Sequence, residues 1–155
     1  KIARTMFVFS YPRFLAMSWF APIINLDQVF DVSIFIHPVD TALILRQLRK
    51  KVAEVQSQIA ERERKGFVRD PMLDTAHQDL ETLRERLQQA QERLFSFGLY
   101  ITIYGDTIEE VDKTEAEMRS ILESKLVYAK QALFQQQEGM ETVFPLASDK
   151  LQVHT

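Results

Sequence analysis

The sequence predicts an α+β protein: a ferredoxin-like split β-α-β sandwich with a long antiparallel coiled-coil helical hairpin inserted between the two β-α-β halves. Three observations carry this. Four short segments, "RTMFVFSY", "DVSIFIHP", "FSFGLYITIYG" and "LVYAK", read as strands. Between the second and third, the apolar spacing changes to 3 and 4, the period of a helix. The order is then strand, short helix, strand, helical hairpin, strand, helix, strand. Removing the hairpin leaves two β-α-β units, the split arrangement of a ferredoxin-like domain.

Each element has a local reason. Arg4 to Ser10 mixes β-branched and aromatic residues and closes at Pro12, so it is the first strand. Phe14 to Phe20 supplies about two turns of helix before Pro22. "DVSIFIHP" alternates Val32, Ile34 and Ile36 with Ser33, Phe35 and His37, completing a first half over 4–38. The hairpin covers 40–95. Its first helix, Thr41 to Lys65, carries Leu45, Leu48, Val52, Val55 and Ile59 on one stripe and is about 37 Å long at 1.5 Å per residue. Asp40 is its N-cap and Gly66 its C′ residue. Asp70-Pro71 opens the second helix, striped by Leu73, Ala76, Leu80, Leu83, Leu87, Ala90 and Leu94. An even number of antiparallel helices returns the chain to where it left, so such an insertion can project without disturbing a sheet.

The second half, 97–140, restores period two with Leu99, Ile101 and Ile103 opposite Tyr100, Thr102 and Tyr104. Thr107 and Glu110 form a capping box for a helix presenting Ile108, Val111, Met118, Ile121 and Leu122. "LVYAK" follows, then a weaker helix from Ala132 to Glu138 that Gly139 ends. Residues 141–155 read as a tail. The opening Lys1 and the closing "KLQVHT" read as the ends of a segment cut from something longer.

Composition narrows the function. The 155 residues suit one domain with a real core, and hydrophobic and charged contents of 46% and 26% are those of a globular protein. A net charge of -3 gives no general reason for a nucleic-acid partner. Residues 41–95 hold 11 basic and 9 acidic side chains, against 5 and 10 over 96–155, so any basic surface belongs to the hairpin. The absence of cysteine removes disulfides and thiolate chemistry. The apolar run "MFVFSYPRFLAMSWFAPIINL" is interrupted by Pro12, Arg13 and Pro22, too often for a membrane span.

Chemistry-bearing motifs are missing. None of the four glycines belongs to a phosphate-cradling Gly-Lys-Ser/Thr loop, and there is no nucleophile elbow. His37, His77 and His154 fall in different elements, which disfavours a metal site. Glu109, Glu110, Asp112, Glu115 and Glu117 read as a solvated helix face near a positive helix end. "HPVD" at 37–40 reads as a strand end and an N-cap rather than a His-Asp dyad. No catalytic, cofactor-binding or metal residue is assigned. Partner contact is open to two groups: Trp19 and Phe20, which otherwise read as core, and the hairpin tip with Arg62, Arg64, Lys65, Phe67 and Arg69. Basic residues around an aromatic suit a phosphate backbone or an anionic membrane. The simpler reading is a solubilised loop whose Phe67 caps the hairpin.

Taken together, "FVFSYPRFLAMSWFAPIINLDQVFDVSIFIHPVD", the Arg/Glu/Gln-rich hairpin with "VRDPML" at its turn, and "FGLYITIYG" resemble the N-terminal region of conjugal-transfer ATPases of type IV secretion systems, in particular those of integrative and conjugative elements. The resemblance spans nearly the whole chain. It implies a non-catalytic docking domain that places a DNA-transfer motor at the cytoplasmic face of the membrane, through other secretion-channel subunits and self-association, peripherally bound. In that family ATP and magnesium belong to a C-terminal P-loop domain, which the chain does not include, so no cofactor is expected here. The alternative is a ferredoxin-like nucleic-acid-binding module using the basic tip.

Overall fold

The computed structural model describes residues 1–152. Along the chain run β1 (Ile2–Ser10), α1 (Ala21–Ile24), β2 (Phe30–Pro38), α2 (Thr41–Arg64), α3 (Pro71–Gln88), β3 (Phe95–Gly105), α4 (Ile108–Glu123), β4 (Tyr128–Gln131) and α5 (Gln136–Val143). The described residues form two compact units, one of Lys1–Ile36 with 97–152, the other of His37–Ser96.

The first unit is built on one sheet, in the order β2-β3-β1-β4. β1 runs antiparallel to β3, with Met6 opposite Ile101, and antiparallel to β4 on its other side. Beside β2, Tyr104 N–H donates to the Val29 carbonyl. Each β-α-β crossover therefore skips one strand, β3 in the first and β1 in the second.

Alternation along the strands gives the sheet two apolar faces. On the first, Met6, Val8, Leu99, Ile101 and Ile103 meet Ile23 of α1 and Val111, Met118 and Leu122 of α4. On the second, Phe7 and Tyr100 meet Ala132, Val143 and Leu151. Each such large side chain, fully enclosed, contributes about 1.5 to 3 kcal/mol. Thr5 and Thr102 share a 2.7 Å hydroxyl bond on the second face, which satisfies two buried polar groups at once.

Several expectations are corrected here. Phe14 to Phe20 is not helical: the segment is irregular, Ser18 has φ 61°, and the only helical turn is α1. Pro22 lies at the start of α1 and does not stop a helix; its missing N–H costs nothing at a helix start. A seven-residue helix is in any case marginal without strong packing. Ile108 stands exposed at the head of α4. Gly139 lies inside α5 and does not end the preceding stretch. A Cβ there would sit 3.0 Å from Thr5 Cβ and 3.2 Å from Ala132 Cβ, so the glycine lets α5 approach β1 closely.

Residues 141–152 are likewise not a loose tail. Leu151 is fully buried, Tyr100 Oη donates to Asp149 Oδ1 at 2.6 Å, and Lys150 N–H donates to Thr142 Oγ1 at 3.2 Å. His154 lies outside the described residues.

The second unit is the helix pair. Asp40 caps α2 by accepting from Ala42 N–H at 2.8 Å, and Asp70 caps α3 by accepting from Met72 N–H at 3.0 Å, ahead of Pro71. At the end of α2, Gly66 takes φ 72° while its N–H bonds Glu63 O and the Phe67 N–H bonds Arg62 O, a Schellman closure. α2 and α3 pack on one another. Leu48, Val52, Val55 and Leu87 are buried, whereas Leu83 is only half-buried. α3 ends sooner than its pattern suggests. Ala90 adopts φ 55° and Gln91 N–H bonds Arg86 O, which closes the helix at Gln88 and leaves Leu94 outside it.

Candidate functional site

The irregular segment after β1 gives the first unit an open apolar surface. Tyr11 sits edge-on to Phe97, with ring centroids 5.6 Å apart, and to Trp19 at 6.5 Å; Trp19 in turn lies 5.2 Å from Phe20. These rings pack on the first-face core, so Trp19 and Phe20 are half-buried props. Burial raises the Tyr11 phenol, whose oxygen has no partner among the described residues. Held up by the props, Phe14 is 81% and Met17 99% exposed, and Ile24 of α1 is also open. Phe14, Leu15, Met17, Trp19, Pro22 and Lys125 line a shallow cavity of about 260 Å³. Arg13 lies 5.4 Å over the Phe14 ring. The arrangement offers apolar area flanked by two cations, Arg13 and Lys125.

The hairpin tip shows paired cations rather than the alternative of a basic grip. Arg62 pairs with Asp70 at 3.8 Å and lies over the Phe67 ring at 5.8 Å. Lys65 pairs with Glu61 at 2.7 Å, and Arg69 with Asp74 at 3.2 Å. Residues 61–74 hold four basic and four acidic side chains, so the tip has no net charge to attract a polyanion. Arg64 is exposed. Phe67 remains 60% exposed and Val68 and Met72 more so; Phe67 thus lies at the rim of the helix pair without closing it.

One buried polar cluster was not legible in the sequence. Glu115, expected on a solvated face, is only 5% exposed. It accepts from Arg4 Nη1 at 2.8 Å and Gln131 Nε2 at 2.6 Å, and it pairs with Arg119; Arg4 also reaches Asp112. Those two carboxylates raise the Arg4 guanidinium, Glu115 more strongly. Both Glu115 oxygens are satisfied, so the cluster ties β1, α4 and β4 together. Its partners lie more than a hundred residues apart for Arg4, and no local pattern announces them. A second group of open apolar side chains that the sequence did not flag, Leu133, Phe134 and Leu146, flanks α5.

Among the described residues no three His, Asp or Glu side chains gather to hold a metal ion, and no helix is long and apolar enough to cross a membrane. Trp19 and Phe20 come together with Phe14 and Met17 in one segment, and Arg62, Lys65, Phe67 and Arg69 share the tip. Comparison with protein-family models, curated proteins and solved structures finds no match. The fold and surfaces define an α+β protein of two units, with a four-stranded sheet in one and a helix pair in the other.

Proposed function

We propose that the chain is a docking module of a conjugal-transfer ATPase of a type IV secretion system, holding a DNA-transfer motor against its membrane channel by protein contacts. The observation that carries this reading is the exposure of Phe14 and Met17 on a segment propped by Trp19 and Phe20. Large apolar side chains held open in this way usually mark an interaction surface. The strand order β2-β3-β1-β4, with one strand skipped in each crossover, supports a ferredoxin-like assignment for the sheet unit. In this reading the module works in the cytoplasm at the inner face of the membrane, peripherally, through channel subunits and further copies of itself. ATP and magnesium act in a separate P-loop domain. The charge balance of the tip argues against the nucleic-acid alternative.

The test is a photo-crosslinking amino acid placed at position 17 in cells that carry the transfer element, with position 113 as control. A crosslink from position 17, and not from 113, to a channel subunit is the expected result. Crosslinks from neither position in transfer-competent cells would overturn the reading.

A further inference from the structure

The two edges of the sheet are built differently. β4 has the features that keep an edge unpaired: four residues only, Lys130 in the middle, and an irregular register against β1 between Val8 and Ser10. β2, at the opposite edge, has nine residues. From Phe30 to Ile36 it holds no lysine, no proline and a single charge, Asp31, which accepts from Tyr104 Oη at 2.8 Å.

The direction of the open backbone groups follows from the pairing with β3. Because Val29 accepts from Tyr104, residues 29, 31, 33 and 35 face β3, and by alternation Phe30, Val32, Ile34 and Ile36 point their N–H and C=O groups away from the sheet. Among the described residues those outward backbone groups have no backbone partner. The same four residues put their side chains on the first face, where Ile34 and Ile36 are 53% and 60% exposed. Unpaired backbone and exposed β-branched side chains coincide on one strand.

We propose that β2 pairs with β2 of a second copy of this chain, antiparallel, about a two-fold axis through Ser33. The pairing sets Phe30 opposite Ile36 and Val32 opposite Ile34, four non-proline pairs that exchange about eight backbone hydrogen bonds. It brings apolar side chains of both copies side by side on one face and covers Ile34 and Ile36. Its charge pattern is compatible: Asp31 falls opposite Phe35, so the strand's one acid never meets its twin. A two-fold contact is self-complementary by construction and closes at two subunits. This surface is distinct from the Phe14–Met17 segment and does not depend on the docking proposal.

Sedimentation velocity across a hundredfold concentration range tests it. The chain is expected to form a dimer. Val32→Pro removes an outward N–H and spares the bonds to β3, and Ile34→Lys places a charge beside the axis. Each should weaken the dimer at least tenfold with the far-UV spectrum retained, while Met17→Ser leaves it intact. A monomer at every concentration would overturn the proposal, as would a dimer that resists Ile34→Lys in a folded variant or that is lost through Met17→Ser alone.

Discussion

β3 and the segment from Tyr11 to Ile24 are about equally apolar and aromatic, yet one is the most enclosed part of the chain and the other among the most open. In β3, Leu99 to Ile103 are all buried, because period-two alternation sends successive side chains to opposite faces that are both covered, and the backbone is paired on both sides. Between Tyr11 and Ile24 no period fits a ladder or a helix. Only Tyr11, Trp19, Phe20 and Ile23 reach the core, and Phe14 and Met17 are left in solvent. Burial follows spacing more than composition, and an apolar residue that misses the spacing is available for a partner.

That comparison is sharpened first by truncation. Ile101→Ala should cost about 2 to 5 kcal/mol by chemical denaturation, since the side chain is fully enclosed. Loss of Arg4 comes next. Arg4→Met leaves the buried Glu115 short of one charged partner, and a cost of about 1.5 to 3 kcal/mol is expected in the same measurement. Gly139→Val forces a side chain against Thr5 and should cost about 1 to 3 kcal/mol, read as a lowered melting temperature. In contrast, Phe14→Ser with Met17→Ser should move stability by no more than about 0.5 kcal/mol per site.

The smallest effect is alkaline. Burial, with help from Asp31, raises the Tyr104 phenol from 10.0 to about 12. A group raised on folding stabilises the native state fully below its unfolded value and loses that contribution as pH climbs through the folded one. Stability should therefore hold to about pH 10 and fall toward 12, and Tyr104→Phe should remove part of that slope in a pH-dependent melt.

What the sequence disclosed was what is written locally. Asp40, Asp70-Pro71, Gly66 and the Thr107–Glu110 box sit next to the backbone groups they satisfy, and β3 spans the whole of "FSFGLYITIYG". Features that depend on distant partners were hidden. Glu115 looks like one acid among several until Arg4 arrives from β1. Gly139 looks like a stop until Thr5 lies beneath it, and Ala90 ends α3 in a conformation that usually calls for glycine. At the candidate site, the aromatic density was legible, but not which residues face outward. Trp19 and Phe20 were the conspicuous choices, and they turn out to support Phe14 and Met17.

The most direct test of the docking claim is the frequency of conjugal DNA transfer with Phe14→Ser and Met17→Ser introduced together at the native locus, beside a thermal melt of the same variant chain. The account predicts at least a tenfold loss of transfer with the melting temperature unchanged. Transfer at the parental frequency from a stably folded variant would contradict it.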